Sequence, residues 1–118
     1  MEEAVSFFLS VGLYTSVTAA DDELARQYPD ILKVRELVGI YEFDISDVDV
    51  PLRIKIIRSG STYYAVANLA VRGKGAKDYY RDAGTYPSKE AALKGAVAGF
   101  FLHLAPGASI REIKNWGI

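Results

Sequence analysis

From Ile40 to Asp82 the apolar residues of this chain recur at every second position, while on either side of that block they recur at every third or fourth. Tyr41, Phe43 and Ile45 alternate with Glu42, Asp44 and Ser46, and Leu52, Ile54 and Ile56 alternate with Arg53, Lys55 and Ile57. A period of two belongs to strands with one buried face, and a period near 3.6 to helices with one buried stripe. The chain is therefore expected to be α+β, a four-stranded antiparallel sheet with helices packed on one face, in the order α-α-β-β-β-β-α-α. Turn signals at Arg58-Ser59-Gly60-Ser61 and Arg72-Gly73-Lys74-Gly75 separate strands over residues 52–57, 62–71 and 77–82. The other face of the sheet is expected to be free.

Helices are expected over about residues 2–14, from an Asp21 or Asp22 cap to near Tyr28, and from Pro29 to a stop at Gly39. After the strands, Ser88 caps the strongest helix, running to about Leu104 with Ala92, Leu93, Ala96, Val97, Phe100, Phe101 and Leu104 as its apolar stripe. Pro106-Gly107 ends it, and Ser109 caps a last turn or two over residues 110–116.

A chain of 118 residues suits a single domain, residues 1–118, around one core. It is 50% hydrophobic and 25% charged, enough apolar surface to offset the entropy of ordering. With no cysteine and His103 as its single histidine, it cannot build disulfides, thiolate sites, His-rich metal centres or paired-histidine catalysis. His103 itself reads as a boundary residue. These absences weigh against an enzyme, and no cofactor or metal is assigned. A reducing, cytoplasmic setting fits. Amides are scarce, Gln27, Asn68 and Asn115, a pattern of heat-adapted chains. Residues 4–20 carry no charge but follow Met1-Glu2-Glu3 and include five serines and threonines, so they read as a buried helix and not as a leader or membrane span.

The formal charge of -1 conceals a segregation. Residues 1–50 hold eleven acids against three bases, whereas residues 51–81 hold Arg53, Lys55, Arg58, Arg72, Lys74, Lys77 and Arg81 against Asp78. A local basic face attracts anions even when the whole molecule is nearly neutral. The same stretch is rich in tyrosine. If Leu52, Ile54 and Ile56 face the core, Arg53 and Lys55 face away, and Lys77, Tyr79 and Arg81 can join them. Tyr63-Tyr64 and Tyr79-Tyr80 put one ring on each face of neighbouring strands. Cations track phosphates and flat rings stack on bases, so Arg53, Lys55, Tyr63, Tyr64, Arg72, Lys74, Lys77, Tyr79 and Arg81 are the candidate residues for single-stranded nucleic acid. The blander reading is that basic residues blunt sheet edges and tyrosine is an ordinary strand residue.

Other classes stay in view. Asp44, Asp47 and Asp49 could hold Mg²⁺ for a phosphoryl-transfer or nuclease reaction, although carboxylates between strands more often cap turns. A protein-interaction module would use the free sheet face or the N-terminal apolar helix. Trp116 is either a stacking platform or the anchor of the C-terminal turn.

Two resemblances bear on this choice. Ser88-Lys89-Glu90-Ala91-Ala92-Leu93-Lys94-Gly95-Ala96, after three strands, looks like the second helix of double-stranded RNA-binding domains, which implies a phosphate clamp with Lys89 and Lys94 in the lysine positions. By overall plan the chain resembles the ThermoDBP family of archaeal single-stranded DNA-binding proteins. The likeness lies in chain size, helices before a small sheet, the segment from Arg53-Ile54-Lys55-Ile56-Ile57-Arg58 through Asp78-Tyr79-Tyr80-Arg81, and Ile113-Lys114-Asn115-Trp116-Gly117. It implies single strands bound with bases in an apolar cleft and basic side chains at its rim, DNA or RNA as the partner, and a homodimer, since members dimerise through a further C-terminal helix.

Overall fold

The computed structural model describes residues 23–116, and within them the chain is α+β. In chain order the elements are β1 (Arg35–Phe43), β2 (Leu52–Ser59), β3 (Thr62–Ala67), β4 (Leu69–Arg72), α1 (Lys89–His103) and β5 (Ser109–Glu112). The helix expected over residues 2–14 and the Asp21 or Asp22 cap lie outside the described residues. The chain divides into two compact units. The described part of the first is residues 23–35 with Ser59–Ser61, and the second holds Glu36–Arg58 and the chain from Thr62 onward.

In the first unit residues 23–27 form a helical turn, closed where the Tyr28 N–H donates to the Leu24 carbonyl at 2.9 Å. The helix expected from Pro29 to Gly39 does not form. Pro29 and Asp30 make a turn, and the chain is extended from Arg35. Ile31, Val34, Val38 and Ile40 are β-branched, and the spacing that suggests a helix also contains a strand alternation.

The second unit is built on β2. Leu52, Ile54 and Ile56 are fully buried on one of its faces, and they pack with Ala65 of β3, Leu69 and Val71 of β4, and Ala92, Ala96 and Phe100 of α1. Each large aliphatic side chain removed from water in this way stabilises the fold by about 1.5–3 kcal/mol. The strands form two antiparallel sheets, β1-β2-β3 and β4-β5, in place of the single four-stranded sheet expected. Along β1 the alternation of burial slips by one at Val38–Gly39, as at a bulge. Glu36 of β1 meets Arg58 of β2, and Glu42 meets Arg53.

Asn68 divides what reads in the sequence as one strand. Its N–H donates to the Arg53 carbonyl at 3.0 Å, its Oδ1 accepts from the Arg53 N–H at 2.7 Å, its Nδ2 donates to Pro51, and its carbonyl accepts from Ile113. The side-chain amide imitates backbone, so the chain leaves one sheet and enters the other with its polar groups satisfied. Residues 110–116, expected as a helical turn, instead supply β5, which pairs Leu69 with Glu112, Ala70 with Arg111, Val71 with Ile110 and Arg72 with Ser109.

Ser88 caps α1 as expected, its Oγ accepting from the Ala91 N–H at 3.0 Å. Phe101 departs from the expected stripe and is exposed, edge-on to Phe100. Gly95 and Gly99 have a packing role. A Cβ on Gly95 would fall inside the Tyr86 phenol, and one on Gly99 inside the Tyr80 phenol. These two notches seat the segment from Tyr80 to Tyr86, which touches the strands at the bridges Val71 to Tyr80 and Tyr63 to Tyr86. The segment is not the strand expected over residues 77–82.

Candidate nucleic-acid interface

Pairing fixes the faces of the β4-β5 ribbon. Residues opposite one another in an antiparallel pair lie on the same side. Leu69, Val71, Ile110 and Glu112 therefore share one face, which carries the core residues, and Ala70, Arg72, Ser109 and Arg111 share the other. Tyr79 lies against this second face. The Arg72 guanidinium is 4.9 Å and the Arg111 guanidinium 4.2 Å from its ring centroid, within cation–π range. Tyr79 is half-buried and Arg111 exposed. Among the described residues neither arginine is paired with a carboxylate.

The turns at the ribbon end place a third cation. Ala76 N–H donates to Gly73 with Gly75 at φ 81°, and Ala108 N–H donates to Ala105 with Gly107 at φ 87°. Both are turns whose third residue needs a positive φ, the reason glycine stands there. The Lys74 stem rests on Gly107, where an added Cβ would come 3.0 Å from Lys74 Cδ. Lys77 is exposed on the same connection.

Tyr79 is held in place by its neighbours. Tyr80 exchanges backbone hydrogen bonds with Val71 at 2.7 and 3.1 Å, and its ring stacks on His103 with centroids 4.1 Å apart and an interplanar angle of 7°. The His103 Nδ1 is 2.8 Å from the Gly99 carbonyl, which accepts from it. His103 is thus a boundary residue that supports a ring. The phenols of Tyr80 and Tyr86 both donate to Asp82 Oδ1, at 3.4 and 2.7 Å. Burial, reinforced by the negative Asp82, raises the Tyr80 phenol pKa; the hydrogen bond to Asp82 does most to push Tyr86 up to about 12. Both rings stay neutral donors at physiological pH.

The expected convergence of cations holds only in part. Arg72, Lys74, Lys77 and Tyr79 belong to the ribbon and its loops, and Arg81 follows, exposed, with its guanidinium donating to the Ala67 carbonyl at 2.9 Å. Arg81 and Tyr64 line an open groove of about 390 Å³ between β3 and residues 81–85. Tyr63 packs on the core. Arg53 does face away from the core, but it pairs with Glu42 at 2.8 Å. Lys55 is buried, contrary to expectation. Its Nζ donates to the Trp116 carbonyl at 2.7 Å and lies 4.9 Å from that indole ring, while the indole N–H donates to Val66 at 2.9 Å. The C-terminal segment therefore covers part of the sheet face expected to be free, and Trp116 is an anchor. Arg58 is buried against Glu36 at 3.0 Å.

Sequence reasoning missed Arg111 and Ser109, which lie outside the basic stretch and reach the site only through β5. The available signal was Ser109-Ile110-Arg111-Glu112 directly after Pro106-Gly107, a short alternating run behind a turn. The acids of residues 44–49 serve the β1–β2 connection, where Val48 N–H donates to Ile45 and Asp47 takes φ 65°, a conformation that aspartate tolerates. Among the described residues no three acids or histidines gather closely enough to hold a metal ion, and no helix is long and apolar enough to cross a membrane. Comparison with protein-family models, with curated proteins and with solved structures finds no match for the chain.

Proposed function

We propose that this chain binds single-stranded nucleic acid, DNA or RNA, with little base-sequence preference and without catalysing a reaction. The observation that carries the reading is the pair of guanidiniums over the Tyr79 ring, neither neutralised by a carboxylate among the described residues. Like charges gathered at one ring are stabilised by a nearby anion. Lys74 and Lys77 extend the positive surface along the loop, and Arg81 and Tyr64 extend it toward the groove. Phosphates would lie on the cations, and bases would stack on exposed guanidinium planes and on the accessible part of the rings, contacts that tolerate any base.

Fluorescence anisotropy with labelled single strands and duplexes at two salt concentrations tests this. Affinity is expected to fall with salt at a slope of about -0.7 per neutralised phosphate, with single strands bound in preference to duplex. A response to salt that is flat, or a preference for A-form duplex, removes the reading.

A further inference from the structure

The ribbon face that carries the two arginines also carries a hydroxyl. Ser109 lies directly opposite Arg72 in the register and two residues before Arg111, so it belongs to the same side of the ribbon as both. Both guanidinium carbons lie within 5 Å of one ring centroid, 4.9 Å for Arg72 and 4.2 Å for Arg111. The register thus makes Arg72, Ser109 and Arg111 neighbours on one ribbon face, with both cations drawn to the same ring. Lys74, braced on Gly107, brings an ammonium to the same end of the ribbon.

From this juxtaposition we infer that Arg72, Ser109 and Arg111 form a site for a phosphomonoester, the terminal phosphate of a strand, in addition to binding its internal diesters. The inference rests on the single-strand reading above. A diester offers two free oxygens and one charge, whereas a monoester offers three oxygens and close to two charges at neutral pH. Two guanidinium forks and a hydroxyl have more donors than a diester can accept, and three acceptor oxygens use them better. Glu112, the acid of β5, lies on the opposite face of the ribbon.

The test compares strands of one sequence carrying a 5′-phosphate, a 3′-phosphate or hydroxyl ends, with a hydroxyl-ended strand two nucleotides longer to match bulk charge. Inorganic phosphate is titrated separately by calorimetry. A phosphorylated end is expected to bind about fivefold tighter or more than the longer hydroxyl-ended strand, from one or two added charge-assisted hydrogen bonds. That advantage should vanish in Arg72→Ala and Arg111→Ala, shrink in Ser109→Ala, and persist in Arg53→Ala. It should also shrink as pH falls through about 6, where the monoester dianion takes up a proton and keeps a single charge. Equal affinity for all ends overturns the inference and leaves single-strand binding standing. If inorganic phosphate binds in an Arg111-dependent way but no strand does, the strand reading falls and a free phosphate is the ligand. If nothing binds, both fall.

Discussion

On β2, Arg53 meets Glu42, Lys55 meets the Trp116 carbonyl and Arg58 meets Glu36, whereas on the β4-β5 ribbon Arg72 and Arg111 meet the face of a tyrosine and, among the described residues, no carboxylate. Both regions are strands bearing cations. The difference lies in what packs above them. β2 is the central strand of its sheet, flanked by the acid-bearing β1 and overlaid by the C-terminal segment, so its cations find internal acceptors. The ribbon has two strands, and its outer face receives one aromatic ring, an acceptor for cations that carries no net charge. A count of basic residues therefore overstates the binding surface, and the relevant quantity is the number of cations without an acid.

The most severe way to probe the division is to remove a β2 cation that is buried. Arg58→Ala strands Glu36 and deletes a packed side chain, and it is expected to cost about 2–4 kcal/mol of stability, below the full figure for a buried pair because Glu36 is partly exposed. Urea denaturation reads this, and binding by the fraction still folded should be unchanged. A loss of affinity without loss of stability would place Arg58 on the wrong side of the comparison.

Gly99→Ala attacks the ribbon site from behind. In an ordinary helix interior this change stabilises by up to about 1 kcal/mol, but here the new methyl would enter the Tyr80 phenol, which is confined by His103. Overpacking of this kind costs about 1–3 kcal/mol, so the expected sign is reversed. Tyr80 is bonded to Val71 and adjoins Tyr79, so affinity should fall together with thermal stability. Gly99→Ala that raises the melting temperature would show the notch to be without consequence.

Much of this was readable from residue order alone. The α+β class, the core face of β2 and the Ser88 cap follow from periodicity and capping chemistry, which are local. The segment after Pro29 reads as a helix because Ile31, Val34, Leu37 and Val38 keep helical spacing, yet Val34, Val38 and Ile40 also fall on one alternation, and only the partner strand chooses between them. β4 and β5 could not be paired in advance, because a four-residue strand has too little pattern to announce itself and Asn68 looked like part of a longer one. Arg111 was lost with β5. The pairing of Arg53, Lys55 and Arg58 was equally hidden, because alternation says which side of a strand a cation takes and nothing about what covers that side.

Arg111→Ala is the direct measurement on the ribbon. Losing one exposed guanidinium that has no carboxylate partner among the described residues should leave stability within about 0.5 kcal/mol, reduce affinity for single strands about tenfold, and lower the salt slope by about 0.7. Arg72→Ala should behave alike. A drop in stability matching the drop in affinity would mean that the cation–π contacts serve the fold.

The tyrosines supply a pH test. The Tyr86 phenol is pushed up to about 12 against an ordinary value of 10.0, chiefly by its hydrogen bond to Asp82, so the folded state holds that proton more tightly than the unfolded chain. The stabilisation is complete below pH 10 and is lost as pH rises toward 12. Tyr86→Phe should cost about 1 kcal/mol at neutral pH and flatten the alkaline limb of the stability profile. An unchanged limb would assign it to other groups.

The smallest expected effect decides most about the comparison. Arg53 is the β2 cation with an exposed side chain, 49% accessible, and its partner Glu42 is as open at 53%. Such a pair contributes about 0–1 kcal/mol, so Arg53→Ala should barely move the denaturation midpoint. The same openness means that a phosphate could in principle replace Glu42 as its acceptor. If Arg53 belongs with the internal cations, Arg53→Ala leaves the salt slope where it was, and Glu42→Gln, which frees the guanidinium, raises the slope and tightens binding slightly. If Arg53→Ala instead lowers the slope as far as Arg111→Ala does, the strand passes over both sheets, and the boundary between structural and binding cations has to be drawn by exposure and not by the presence of an acid.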